Sequence, residues 1–187
     1  MLLEFVTRST LTTCPCPHFT TALGMGSMTL TYLTPLSLDQ QIAHGVTSPQ
    51  PLAVADRVRF SELDMLGHVN NTRYFEWFER TRVRYSQEWG ISHYVKQADA
   101  PRIVIRSGAI HYRQEMLMDE DYIVTCRCAA FRTTSYSLHQ QIWAGGSLRA
   151  TFDCVLVLLE RDKSGRLPIP TAVRTRFTEI DGAHPES

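Results

Sequence analysis

The residues best placed to do chemistry lie in one stretch, Leu63-Asp64-Met65-Leu66-Gly67-His68-Val69-Asn70-Asn71. A carboxylate, a glycine and a histidine here occupy a loop that leads straight into a helical pattern. The first turn of a helix presents unpaired backbone N–H groups and a partial positive charge. These can polarise an acyl carbonyl, such as that of a thioester, and hold the oxyanion that develops on it. Each residue also has a plainer reading. Asp64 can cap the turn before the helix, His68 can be packed or bonded within the turn, or can orient Asp64 or water, and Asn70 or Asn71 can cap the helix.

The elements around this loop follow from hydrophobic spacing. From residue 52 apolar and polar positions alternate, with Val54, Val58 and Phe60 on one face, which predicts a first strand. After the loop, Tyr74, Trp77, Phe78, Thr81, Tyr85 and Trp89 recur every three or four residues. That spacing predicts an amphipathic helix of about five turns, ended by Gly90. Arg73, Glu76, Glu79, Arg80, Arg82, Arg84 and Glu88 fall away from or beside the apolar stripe, where solvent or a partner is expected. Four runs rich in Val, Ile, Tyr and Thr follow, at 102–112, 121–130, 135–143 and 147–159, and read as strands in an antiparallel meander. Ala144-Gly145-Gly146-Ser147 reads as a hairpin turn, and the segment from Lys163 to Pro168 as a turn that closes the last strand. The expected class is α+β, a single long helix wrapped by a curved antiparallel sheet. The open edge of such a sheet invites pairing with a second copy.

Composition narrows the function classes. The 187 residues suit one domain, and nineteen basic against nineteen acidic residues leave no net charge. No basic stripe with interleaved aromatics appears, so nucleic acid is not an expected partner. No stretch approaches the roughly 20 apolar residues that span a bilayer, so no membrane partner is expected either. Three of the five cysteines, Cys126, Cys128 and Cys154, fall in strand-like apolar runs and read as reduced, packed thiols in a cytoplasmic protein. The Cys14-Pro15-Cys16-Pro17-His18 cluster lacks a second ligand pair at usual spacing, so neither metal nor cofactor is expected. Residues 1–50 carry Arg8 as their one lysine or arginine and suit neither a signal peptide nor a transit peptide. They read as a poorly ordered extension, upstream of an internal start at Met25 or Met28, with the domain proper at 51–182.

The run LDMLGHVNNTRYFEWFERTR resembles the opening motif of the 4-hydroxybenzoyl-CoA thioesterase-like hotdog family, in which an aspartate precedes GHVNN and the long central helix. The resemblance extends over about residues 54–180, through IHYRQEMLMDEDYIV and RTTSYSLHQQIWAGGSLRAT. It implies a hotdog fold and hydrolysis of an acyl-CoA, with Asp64 as nucleophile or general base and the Asn71 N–H facing the thioester carbonyl. Asn70 and Tyr74 join the substrate contacts. Arg132, Thr133, Thr134 and Ser135 occupy the place where similar proteins hold the CoA phosphates near a subunit boundary, a task suited to arginine. Arg102, Arg106 and Arg113 are further cationic candidates. A homodimer or homotetramer is implied as well.

Other readings share the architecture. Plant-type acyl-carrier-protein thioesterases place an asparagine two residues after the aspartate, where this chain has Leu66, which favours a CoA ester over a carrier-protein ester. A non-catalytic acyl-CoA-binding hotdog protein is the third reading, against which Asp64 stands. A related subgroup uses a helix glutamate instead of the loop aspartate, and Glu76 is the fallback for it.

Overall fold

The computed structural model describes residues 30–92, 100–162 and 165–186. Cys14, Cys16 and His18, the methionines at 25 and 28, and Lys163 and Ser164 of the last turn lie outside them.

The long helix, α2 (Asn71–Glu88), forms where the spacing predicts. Asn70 caps it, its side-chain oxygen accepting from the Thr72 N–H at 3.0 Å. It ends where Gly90 takes a φ of +73°, a conformation glycine adopts without the penalty a Cβ would bring. The apolar stripe turns inward. Trp77 stacks on Tyr122 with ring centroids 4.1 Å apart, Phe78 on Phe152 at 5.4 Å, and Tyr85 on Trp89 at 4.2 Å. Of the charged residues of α2, Arg82 is the one that lies beside the stripe and is buried. It follows Phe78 by four residues and precedes Tyr85 by three, which puts it on the inner edge of the stripe, and only 9% of it is exposed.

The sheet that α2 packs on contains β1 (Leu52–Arg57), β2 (Arg102–Tyr112), β3 (Asp121–Phe131), β4 (Ser135–Ala144) and β5 (Ser147–Leu159), with a short β6 (His184–Pro185) beside β3. Strand order is β1-β3-β4-β5-β2, antiparallel at each of these contacts. The expected four-strand meander therefore holds for β3, β4 and β5 only. The chain leaves β1 at one edge, crosses the concave face as α2 and re-enters at the other edge, so β2 pairs with β5 rather than β3. Bulges at 105–107 in β2 and 128–130 in β3 add the curvature that wraps the helix. The first strand ends at Arg57, and Phe60 is in a single 3-10 turn, Phe60–Glu62, with its side chain in solvent.

Residues 30–50 pack on the convex face, so the boundary expected at residue 51 does not mark where packing starts. The Leu33 and Leu36 N–H groups donate to the Ala55 and Ala53 carbonyls at 2.9 Å, covering the free edge of β1. A short helix, α1 (Leu38–Ala43), is closed by a Ser37–Gln40 capping box. Leu36 and Val46 supply the apolar cover for Ala53, Ala55, Ile123 and Trp143. Buried Gln41 exchanges hydrogen bonds with the backbone of Gln50.

At the other end of the chain α3 (Thr171–Glu179) inserts Phe177 against Phe131, Tyr85 and Tyr136. Asp181 follows it into the core and accepts hydrogen bonds from Tyr85 Oη, Trp89 Nε1 and the Cys128 N–H. Cys126, Cys128 and Cys154 are buried free thiols, and burial pushes all three up, Cys154 to about 11. Among the described residues no helix is long and apolar enough to cross a membrane.

Candidate active site

The loop ahead of α2 is pinned from both sides. Buried Glu62 accepts from Trp77 Nε1 at 2.9 Å and from the Arg59 N–H at 2.8 Å, while its carbonyl accepts from the Asn70 N–H. Within the loop the Asp64 N–H donates to the His68 carbonyl at 2.8 Å, and Gly67, at φ +80°, makes the turn between them. Asp64 Oδ1 accepts from the Leu66 N–H at 2.8 Å and the His68 N–H at 3.4 Å. The capping role is thus real and occupies one oxygen. Oδ2 accepts no hydrogen bond from a described residue and remains available.

Asp64, His68, Asn71 and Tyr74 line one open cavity of about 400 Å³. In the first turn of α2 the Thr72 N–H is taken by the Asn70 side chain and the Arg73 N–H by the Asn70 carbonyl, which leaves the Asn71 N–H as the free donor. The opposite wall comes from the end of β2 and the loop after it. Tyr112 meets Tyr74 edge to face at 5.1 Å, and Glu115 Oε2 lies 3.0 Å from His68 Nε2. Burial, with Tyr112 alongside, pushes the Tyr74 phenol up to about 12, so it keeps its proton and can donate. Residues 113–120 are held as a unit. Arg149 bonds Gln114 Oε1, the Glu115 carbonyl and Glu120 Oε1, and the Val69 N–H donates to the Met116 carbonyl.

Other expected site residues lie elsewhere. Asn70 caps the helix and is not on the cavity wall. Arg132 and Ser135 line a second, more polar cavity of about 460 Å³ together with Arg106 and Ser137. There Arg132 pairs with Glu186 at 3.1 Å. Thr133 and Thr134 do not line it; their carbonyls accept from the Ile169 and Leu158 N–H groups. Glu76 is tied to Arg73 at 2.8 Å, outside both cavities. Sequence reasoning missed Tyr112 and Glu115. The signal for them was the change from alternating apolar residues to the polar run Arg113-Gln114-Glu115, where a strand gives way to a loop.

A family model described as the thioesterase-like superfamily matches residues 58–177, which takes in every residue of both cavities except Glu186. The chain belongs to that superfamily. Among solved structures, a thioesterase-superfamily protein from Jannaschia sp. CCS1 is 39% identical with a TM-score of 0.77, covering 82% of this chain and 97% of its own. A thioesterase from Thermus thermophilus, solved in complex with coenzyme A and zinc, is 29% identical with a TM-score of 0.63 and covers 73% of this chain and 98% of its own. The uncharacterised Bacillus subtilis protein YsmA is 32% identical over 82 residues, which amount to 44% of this chain and 54% of that relative. In this superfamily member the sheet, the single long helix and its capped N-terminus make the hotdog architecture expected from the motif. Among the described residues no cluster of three His, Cys, Asp or Glu side chains is arranged to hold a metal ion.

Proposed function

We propose that this chain hydrolyses acyl-CoA thioesters to the free acid and CoA, with Asp64 as nucleophile or general base. The observation that carries the reading is the unengaged Oδ2 of Asp64, on the same cavity as the free Asn71 N–H at the start of α2. The thioester carbonyl oxygen accepts from that N–H, and the helix terminus stabilises the charge that develops on it. Attack by the carboxylate on the carbonyl carbon expels CoA thiolate and gives a mixed anhydride that water opens. Base catalysis instead takes a proton from water, which attacks directly. His68, held by Glu115, and the neutral Tyr74 phenol line the same cavity, where the phenol can donate to the substrate.

Arg106 and Arg132 suit the CoA phosphates. Arg106 lies near the middle of β2, six residues from Tyr112 and on the order of 20 Å away at a strand's rise per residue, with Arg132 beside it on the second cavity. If two copies pair antiparallel along their β2 edges in a register centred near Ala109, Arg106 of one copy comes beside Tyr112 of the other. We therefore take the working unit to be at least a homodimer, with acyl and nucleotide ends of the substrate held by different copies. The bound coenzyme A of the Thermus relative supports a CoA ester as the substrate.

The test is free-thiol release from acetyl-, medium-chain, long-chain and benzoyl-type CoA esters, with wild type and Asp64→Asn assayed side by side. The expected outcome is turnover by wild type and a loss of at least a hundredfold in kcat for the variant, with melting temperature and ligand binding nearly unchanged. Turnover by the variant at near the wild-type rate would end the Asp64 assignment. No thiol from any ester would end the CoA reading and make carrier-protein esters the next substrates.

A further inference from the structure

Among the described residues, Arg82 is a buried cation without a buried anion beside it. Both of its contacts are neutral: Nη1 donates to Gln140 Oε1 at 3.3 Å, and the guanidinium sits 5.5 Å from the Phe152 ring centre. Gln140 does not compensate the charge, since its own amide donates to the Phe78 carbonyl. No described carboxylate forms an ion pair with Arg82, although buried arginines are ordinarily paired. None of its nitrogens is among the fully enclosed side-chain atoms that lack a hydrogen bond. A guanidinium in this position is placed to meet an anion that the described residues do not supply.

The surroundings say where that anion comes from. Tyr112, on the catalytic cavity, is in register with Ala150. Two residues on, Ile110 is in register with Phe152, roughly 7 Å further along the strands. Phe152 lies against the backbone of Gly108, where a Cβ would stand 2.7 Å from the ring. Half-exposed Phe75 meets the same ring edge-on at 5.6 Å. Phe75, Gly108 and Phe152 therefore stand between the cavity and the guanidinium. We propose that Arg82 receives a carboxylate at the far end of the acyl group, which makes the favoured substrates ω-carboxyacyl thioesters rather than simple alkyl ones. This rests on the acyl-CoA reading above and adds the class of acyl group.

The test compares kcat/KM for suberoyl-CoA and octanoyl-CoA, and for adipoyl-CoA and hexanoyl-CoA, in wild type, Arg82→Met and Arg82→Lys. The expected result is a wild-type preference of tenfold or more for the carboxylated ester of each pair, lost in Arg82→Met and partly kept in Arg82→Lys. A wild-type ratio at or below one overturns the proposal. So does a ratio unchanged in Arg82→Met, including the case where both esters fall together as the dimer dissociates, which would make Arg82 a subunit contact. If wild type releases no thiol from any ester, the hydrolase reading fails on its own, and calorimetry with suberate and octanoate still reads Arg82. Tighter suberate binding that Arg82→Met abolishes supports the anion site, and equal binding of the two acids removes it.

Discussion

A carboxylate that accepts three hydrogen bonds ordinarily titrates low, yet Asp181 is pushed up from 3.8 to about 6 because burial outweighs its donors, Trp89, Cys128 and Tyr85. Between those two values the folded chain binds this proton more tightly than the unfolded chain does. The contribution of Asp181 to stability is therefore fully present below about pH 3.8 and is lost as pH rises through about 6. Denaturant unfolding of wild type and Asp181→Asn from pH 4 to pH 7 should show the wild type losing, relative to the variant, on the order of 2 kcal/mol across that window. Equal slopes for the two proteins would show that the carboxyl is not buried as described. Asp64 was legible in the sequence because its helix cap, its glycine and its histidine are all within seven residues. Asp181 and Glu115 were not, since each is defined by partners 47 to 96 residues away. Arg82 was legible only in part: spacing put it away from or beside the stripe, facing solvent or a partner, and did not say which edge residue turns inward.

The N-terminal segment is the element that changes most between sequence and structure. It lacks the alternating or helical period that reveals the other elements, so its composition suggested a loose extension. The structure instead lays Leu36 and Val46 over the small residues Ala53 and Ala55 of β1, a fit that depends on the far side of the sheet and not on local pattern. Deleting residues 1–48 should therefore lower the melting temperature, by about 4 °C or more for a loss near 2 kcal/mol, as differential scanning calorimetry would report. A sharper probe is Gly45→Ala. Gly45 has a φ of +84°, and a Cβ there would stand 2.6 Å from the Gly146 Cα in the β4–β5 hairpin. The cost is expected at about 2 kcal/mol, against little change if the segment were not packed. Strand order was likewise out of reach of periodicity. The alternation shows which residues face the core but not which edge the chain returns to after α2.

At the scale of the whole molecule the two sheet edges differ. Residues 33–36 cover β1, while no described residue pairs with the outer edge of β2, where Ile105 and Tyr112 are exposed. If the proposed dimer forms along β2, Ile105→Asp should convert it to monomer in light scattering, with thiol release falling in step, because the two ends proposed to hold the phosphates and the acyl group then belong to separate molecules. Activity retained by a monomer would show that each copy is self-sufficient. The three core cysteines carry one more consequence. Cys128 and Cys154 both face Leu138 across adjacent strands, and Cys126 lies two residues along β3 from Cys128, so one collapse of the helix–sheet interface uncovers them all. Modification by a maleimide, followed by intact mass, then becomes a clock for native-state opening. Adducts at these three positions should appear together, at a rate that slows when an acyl-CoA is bound, and adducts arriving one at a time would instead report separate local fluctuations.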